Sequence, residues 1–274
     1  RPGETLATGR RDVYPGGKGL NQAVACARAG AKVWQAGLVG PEGGLLLDVC
    51  REAGVNTDYV RTVDVASGHT VIQVDGGGQN CILLYGGANQ RVDEAYADEV
   101  LSHFSAGDYV ILQNEISCLP HIVDAAAARG MRVVLNPSPY NEALEAVDMS
   151  KVSLFLLNEV EGAQVAGGSE DPDEVLARLG EKCPDAAVVL TLGSEGSRYQ
   201  RGDERYAQGI YHVDAKDTTA AGDTFTGYFV WAVSEGRPVP EALDIAAKAS
   251  AIAVSRAGAV PSIPTIDEVM AAKL

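Results

Sequence analysis

The stretch Asp217-Thr218-Thr219-Ala220-Ala221-Gly222-Asp223-Thr224-Phe225 divides the chain into two parts with different hydrophobic patterns. From about Lys32 up to this stretch, short β-branched runs alternate with segments of helical period, which is typical of an α/β domain with a largely parallel sheet. After Asp214 the chain reads as two long helices and a short C-terminal one. We therefore predict a single α/β domain over residues 1–274.

The hydrophobic pattern places the individual elements. Strands are predicted at Val33–Val39, Tyr109–Gln113, Arg132–Asn136, Leu154–Leu157 and Ala187–Thr191. Helices are predicted near Gly19–Ala29, Gly43–Glu52, Asp93–Phe104, Pro120–Arg129, Asp173–Glu181, Gly222–Glu235 and Pro240–Ser255. Two further segments, His69–Val74 and Cys81–Tyr85, flank a glycine-rich turn and predict a β-hairpin. With a strand at Thr5–Tyr14, this hairpin would form a small sheet, from segments at about 3–15 and 67–87, that covers a site as a lid.

The stretch at 217–225 also contains the candidate catalytic residues. Small residues at 220 to 222 let an anion approach the backbone, and N–H groups at a helix start are unpaired donors. The amides of Ala220, Ala221 and Gly222 are therefore predicted to form an anion hole for a transferred phosphoryl group. Asp223 beside it could accept the proton of an attacking hydroxyl. The alternative is that Asp223 only caps the helix.

A second glycine-rich turn runs into a helix at Tyr14-Pro15-Gly16-Gly17-Lys18-Gly19-Leu20-Asn21-Gln22-Ala23. Its glycine spacing matches neither the dinucleotide fingerprint nor a P-loop. The turn lets Lys18 and Asn21 face a ligand with many hydroxyl groups, and the alternative is a tight turn without a ligand.

Composition narrows the range of partners. The 274 residues are 46% hydrophobic and carry a formal net charge of -15, which disfavours binding to nucleic acid. A small anion such as ATP stays possible, because backbone amides and a divalent cation can form a local positive site. Five widely spaced cysteines without a C-x-x-C pair favour a reducing, cytoplasmic location. No apolar run approaches the roughly 18 residues that span a bilayer, so no membrane partner is predicted.

The two glycine-rich motifs, in this order, resemble those of the ribokinase-like (pfkB-type) carbohydrate kinases. Further matching segments lie between and after them, at Gly86–Asn89, Leu135–Pro139, Leu157–Glu161, Thr191–Gly196 and Ala251–Ser262. The resemblance covers nearly the whole chain. It implies a three-layer α/β/α sandwich of the ribokinase-like type with a small β-sheet lid.

The resemblance also implies a function and a set of site residues. It implies transfer of the γ-phosphate of ATP to a sugar hydroxyl, with D-ribose at its C5 hydroxyl as the expected acceptor. Asp223 would be the base, Ala220, Ala221 and Gly222 the anion hole, and Gly17, Lys18, Asn21 and Glu115 the sugar ligands. Asn158, Glu161, Thr191, Gly193 and Gly196 would lie at the ATP site, with Glu161 organising the water shell of Mg²⁺. A monovalent cation, usually K⁺, would be held by oxygens of Asp217, Thr219, Ala253, Arg256, Gly258 and Ser262.

Several alternatives stay open at this point. Another pentose, a hexose or a nucleoside could be the acceptor, and Asn158 and Glu161 could be no more than the start of a surface helix. The family's first strand, with a sugar-binding aspartate, is expected about twenty residues before Arg1. If that strand were lacking, the protein could be a weakly catalytic sensor of nucleotide or sugar. The resemblance also implies a homodimer formed through the lid.

Overall fold

The computed structural model of the chain describes residues 7–9, 11–74 and 80–274. The helices are α1 (Lys18–Ala29), α2 (Gly44–Glu52), α3 (Glu94–Leu101), α4 (Leu119–Ala128), α5 (Glu159–Val165), α6 (Pro172–Lys182), α7 (Ala221–Ser234), α8 (Val239–Val254) and α9 (Ile266–Ala271). The strands are β1 (Trp34–Val39), β2 (Asn56–Thr62), β3 (His69–Val74), β4 (Asn80–Tyr85), β5 (Tyr109–Gln113), β6 (Arg132–Asn136), β7 (Leu154–Asn158), β8 (Ala187–Thr191), β9 (Ser197–Arg201) and β10 (Glu204–Gln208).

The main sheet has six strands in the order β10-β9-β8-β7-β6-β5. Strands β5 to β8 run parallel, and β9 and β10 are joined to them as an antiparallel hairpin. Strands β1 and β2 form a separate parallel pair, and β3 and β4 pair antiparallel. The parallel strands have helices between them, as the alternating sequence pattern predicted.

The two faces of the main sheet bury different residues, because side chains alternate along a strand. Val134, Leu156 and Val189 belong to the hydrophobic core that contains residues of α1, α7 and α8. Val133 and Phe155 belong to the core on the opposite face, which contains residues of α3, α4 and α6. Helices therefore pack on both faces of the sheet, so the predicted three-layer α/β/α arrangement is confirmed.

The structure differs from the predicted elements at the N-terminal segment, at β2, at α5 and at the β9–β10 hairpin. Residues 7–9 and 11–14 form no strand, whereas a strand was predicted at Thr5–Tyr14; its remaining residues lie outside the described ranges. Val13 and Tyr14 are exposed, so this segment lacks a buried face that would hold it in a sheet. Strand β2 and the β9–β10 hairpin were not predicted. Most of their residues are polar or charged, which hides the apolar alternation on which strand prediction depends.

The β3–β4 hairpin exposes apolar side chains. Val71 pairs with Leu83 across the strands, and these side chains are 47% and 57% exposed. Ile72 and Leu84 are exposed as well. A two-stranded hairpin with this much apolar surface in water is only marginally stable alone. Within residues 7–9, 11–74 and 80–274, no helix has the length and apolar character needed to cross a membrane.

Candidate active site

The functional residues collect at one edge of the main sheet. Parallel strands present their carboxyl ends at the same edge, where ligands bind in open α/β sheets. Glu115 follows β5, Asn136 ends β6, Asn158 ends β7 and Thr191 ends β8. Asn158 and Thr191 are direct neighbours in the sheet register. The fold therefore brings Glu115 and Thr191, which are 76 positions apart in the sequence, to the same edge of the sheet.

Helices α1 and α7 reach this edge together because they pack very closely. A Cβ atom at Gly227 would lie 2.4 Å from the Ala25 Cβ and 2.8 Å from the Cys26 nitrogen, so only glycine fits there. Asp223 lies one turn before Gly227 on α7, and Asn21 lies one turn before Ala25 on α1. The close contact between the two helices therefore places Asn21 beside Asp223.

Asp223 is buried, with a 7% exposed surface, and both of its carboxylate oxygens accept hydrogen bonds. Asn21 Nδ2 donates to Oδ2 at 2.8 Å, and Gln22 Nε2 donates to Oδ1 at 2.9 Å. Burial raises the pKa of Asp223, while Lys18, Asn21 and Gln22 oppose the rise by favouring the charged form. A buried carboxylate with raised proton affinity and two fixed donors has the properties of a general base.

The side chain of Asp223 does not cap its helix. The N-cap residue of α7 is Ala220, which provides no side-chain cap, so the capping alternative is wrong. The amide of Ala221 donates to the Thr218 carbonyl at 3.2 Å, a long hydrogen bond that a bound anion would have to share or displace. Ala220, Ala221 and Gly222 nevertheless form the start of a 14-residue helix, where backbone N–H groups point outward.

The predicted acceptor residues lie next to one another. Gly17 has φ 102°, a conformation that favours glycine, and it is the N-cap residue of α1. The amide of Lys18 donates to Glu115 Oε2 at 3.2 Å. The pKa of Glu115 is raised, mainly by burial. The Lys18 charge opposes this rise, and the nearby Asp223 adds to it. Asn21 Oδ1 is buried and has no hydrogen-bond partner among the described residues. A buried free acceptor at this place suits a ligand hydroxyl group.

On the nucleotide side, Asn158 and Glu161 form a reciprocal capping box at the start of α5. Asn158 Oδ1 accepts from the Glu161 amide at 2.8 Å, and Glu161 Oε2 accepts from the Asn158 amide at 3.1 Å. Asn136 Nδ2 also donates to Glu161 Oε2 at 2.8 Å. Glu161 is only 6% exposed, so the alternative of a surface helix start is wrong, although the two residues do cap the helix.

Lys18 connects the acceptor side with the nucleotide side. Its Nζ lies 3.7 Å from Glu161 Oε1, while its own amide contacts Glu115. The predicted role of Lys18 was contact with sugar hydroxyls. That role stays a prediction, and in this structure the ammonium group lies beside Glu161, which was predicted at the Mg²⁺ water shell.

The predicted ATP-site residues after β8 lie beside α5. Thr191 Oγ1 donates to the Leu157 carbonyl at 3.2 Å, and a Cβ at Gly193 would lie 3.8 Å from Glu159 Oε1. Gly193 and Gly196 have φ angles of 52° and 89°. At Gly196 a Cβ would lie 2.1 Å from the carbonyl oxygen of Gln208 in β10, so only glycine fits at this position.

The residues predicted to hold a monovalent cation come from two loops that are bonded to each other. Asp217 Oδ1 accepts from the Thr219 amide at 2.9 Å, and Oδ2 accepts from the Gly258 amide at 2.9 Å. The hydrogen bond from the Thr219 hydroxyl is the largest cause that lowers the pKa of Asp217, and the bonds from the two amides lower this pKa further. Ser262 is buried and donates to the Ala259 carbonyl. Ala253 lies in the last turn of α8, where its carbonyl accepts from the Arg256 amide.

Three residues of this site were not predicted. Gln22 and Asn136 lie inside motifs that the sequence showed, and Gln113 is the last residue of β5. Their position next to polar motif residues at strand and helix ends was the available signal. What the sequence could not show is that Gln22 contacts a residue 201 positions away.

The chain is similar over nearly its whole length to known proteins. The model of the pfkB family carbohydrate kinases matches residues 2–266. The chain is 35% identical to a ribokinase of Haemophilus influenzae, over 98% of this chain and 90% of that protein. It is 37% identical to a ribokinase of Schizosaccharomyces pombe, over 93% and 85%. A solved Arabidopsis thaliana ribokinase, complexed with ribose and ATP, superposes with a TM-score of 0.85 at 30% identity, over 98% and 91%. The chain therefore belongs to the pfkB family of carbohydrate kinases.

Proposed function

We propose that this carbohydrate kinase transfers the γ-phosphate of ATP to the C5 hydroxyl of D-ribose, with Asp223 as the general base. The observation that carries the proposal is the buried Asp223 carboxylate in the first turn of α7, which accepts hydrogen bonds from Asn21 and Gln22 of α1. Support for the substrates comes from the ribokinases to which the chain is similar, one of which was solved with ribose and ATP.

The proposed reaction needs positioning and charge neutralisation more than covalent chemistry. Asp223 accepts the proton of the acceptor hydroxyl as that oxygen attacks the γ-phosphorus, and the bond to the β-phosphate oxygen breaks. The amides at Ala220 to Gly222 would donate hydrogen bonds to the oxygens of the transferred phosphoryl group at the start of α7. Lys18, whose ammonium group lies 3.7 Å from Glu161 Oε1, would balance negative charge on the moving group.

The residues on the acceptor side have the chemistry to hold a sugar. Glu115 offers a carboxylate, Asn21 offers a free amide oxygen, and the turn at Gly17 brings the backbone close to the ligand. Carboxylates and amides bind several hydroxyl groups at once, which suits a polyol such as a pentose.

The residues present also fit the two cations that the family relationship implies. Glu161 Oε2 is occupied by Asn136 and by the Asn158 amide, which leaves Oε1 to hold water around Mg²⁺ rather than the ion itself. Asp217, with its lowered pKa, places a fixed negative charge beside the loop carbonyls, which suits a monovalent cation. When bound, Mg²⁺ would neutralise phosphate charge and K⁺ would stabilise the anion-hole loop.

We also propose that the chain forms a homodimer through the β3–β4 hairpin. The exposed Val71, Ile72, Leu83 and Leu84 make an apolar surface that a second copy of the hairpin could cover. Cytoplasmic location stays a prediction.

The acceptor can be tested with a panel of pentoses, hexoses and nucleosides in a coupled assay of ADP release. We expect D-ribose to give the highest kcat/KM, and ³¹P NMR of the product to show a phosphomonoester at C5. A higher kcat/KM with a different pentose, a hexose or a nucleoside would replace the proposed acceptor within the same family. Binding of ATP and sugar without any ADP release would instead indicate a sensor.

A further inference from the structure

Two glutamine side chains form a chain of hydrogen bonds that ends at the proposed base, Asp223. Gln22 Nε2 donates to Asp223 Oδ1 at 2.9 Å, and Gln113 Nε2 donates to Gln22 Oε1 at 2.6 Å. Gln22 belongs to α1 and is 1% exposed, whereas Gln113 is the last residue of β5. A chain of side-chain amides therefore connects the edge of the main sheet to the carboxylate.

Chemistry determines the direction of every bond in this chain. An ionised carboxylate can only accept hydrogen bonds, so Gln22 must turn its NH₂ group toward Asp223. The carbonyl oxygen of Gln22 then faces Gln113, which must present its own NH₂ group. Without the Gln113 donor, the Gln22 amide could rotate and place its oxygen against the carboxylate, which is repulsive.

Gly19 provides the space that Gln113 needs. A Cβ at position 19 would lie 3.1 Å from Gln113 Oε1, closer than most real contacts of this kind. Gly19 lies in the first turn of α1, where alanine would be the better helix former. An alanine there would favour the helix but would force the end of the Gln113 side chain to move by a few tenths of an ångström, so the glycine leaves Gln113 in the position from which it donates to Gln22.

We infer that Gln22 and Gln113 are positioning residues that fix the orientation of the Asp223 carboxylate and stabilise its ionised form. The role in phosphoryl transfer rests on the proposed function, but the effect on the proton affinity of Asp223 does not. The other charged groups near Asp223 are Lys18 on α1, Glu115 after β5 and Glu161 on α5. The substitutions in the test leave all three unchanged.

The test is ¹³C NMR titration of the protein labelled at the aspartate carboxyl carbons, with the Asp223 signal assigned from its loss in Asp223→Asn. In Gln22→Leu and Gln113→Leu, Asp223 should titrate at higher pH than in the wild type, because the ionised form loses a donor or gains a misoriented one. Gln35→Leu is the matched control. Gln35 lies on the nearby β1, and its amide donates to the Ala36 carbonyl outside the chain of amides.

Gly19→Ala is a second test of the role of the two glutamines, and it can be measured even if Gln22→Leu does not fold. We expect its Asp223 titration to move to higher pH while its thermal unfolding temperature does not fall. An Asp223 titration in Gln113→Leu and Gly19→Ala that coincides with the wild type would overturn the inference. The NMR result stands independently of whether the protein phosphorylates a sugar.

Kinetics then tests the catalytic consequence. Loss of one hydrogen bond to a charged group should lower kcat about tenfold or more in Gln22→Leu, with the acidic limb of the pH profile moved to higher pH and ATP affinity unchanged. Equal kcat and an unmoved profile would contradict a positioning role. A wild-type enzyme with no sugar-dependent turnover would overturn the proposed function instead, while the titration would still decide the inference.

Discussion

Asp217 and Gly258, 41 positions apart, are joined by a hydrogen bond of 2.9 Å from the Gly258 amide to the Asp217 carboxylate. The bond connects the loop that precedes α7 with the loop that follows α8. Gly258 has φ 89°, a conformation in which glycine is favoured and which turns its amide toward the carboxylate. The shape of the loop before the proposed anion hole therefore depends on this carboxylate.

Asp217→Asn should weaken activation by monovalent cations. The amide keeps one acceptor but presents an NH₂ group to Thr219 or Gly258, and it removes the negative charge beside the loop carbonyls. We expect a severalfold higher K⁺ concentration for half-maximal rate, measured with KCl at constant ionic strength. Asp203→Asn, in the exposed turn between β9 and β10, serves as the control. A K⁺ response identical to that of the wild type would remove Asp217 from the cation site.

Gly227→Ala should disrupt the contact between α1 and α7. The new methyl group would lie 2.4 Å from the Ala25 Cβ, so the helices must separate and carry Asn21 away from Asp223. Overpacking of this kind costs about 1–3 kcal/mol in the free energy of unfolding. Chemical denaturation measures that loss, and kcat should fall with it. Gly44→Ala, at an open position in α2, should leave both quantities unchanged or slightly raise stability.

Asp223→Asn should change how stability depends on pH. The pKa of Asp223 is raised by burial above the ordinary value of 3.8, so the folded wild type holds its proton to higher pH than the unfolded chain. Wild-type stability therefore falls as pH rises from about 3.8 through the folded pKa, and Asp223→Asn lacks this loss. Urea denaturation at several pH values measures the difference. The variant should gain stability relative to the wild type as pH increases, whereas a constant or shrinking difference would argue against the raised pKa.

Leu83→Lys should weaken self-association through the hairpin. A charge in the middle of an apolar contact surface costs desolvation energy on association, while in the isolated chain this side chain is already 57% exposed. Sedimentation velocity should show a larger monomer fraction than in the wild type at the same concentration. Met270→Lys changes an equally exposed apolar residue on α9 and should not alter the association state. If the wild type itself sediments as a monomer, the proposed dimer is wrong.

The sequence predicted most of the sheet because its central strands are apolar and short. Tyr109–Gln113, Arg132–Asn136 and Ala187–Thr191 were predicted with the observed bounds, since continuous β-branched runs there end at turn residues. The β9–β10 hairpin was not predicted from the sequence, because its strands are rich in arginine, glutamate and glutamine. Its turn at Gly202, with φ 54°, was the local signal that could have revealed it.

For the site, the motifs predicted which residues gather but not how they contact one another. Lys18 was expected at the sugar, and its ammonium group lies beside Glu161. Gln113 was not predicted, because its place at a strand end beside polar residues does not show that the fold brings Gln22 to it. Side-chain direction depends on how α1 packs against α7 and β5, and periodicity contains no information about that packing.

The most direct test of the central claim compares Asp223→Asn with the wild type in single-turnover transfer from ATP to D-ribose. General-base removal typically costs at least about 10²–10⁴-fold in rate, so we predict a loss of this order with the dissociation constant of ATP unchanged by calorimetry. Turnover by the variant at a rate near that of the wild type would contradict the assignment of Asp223 as the base.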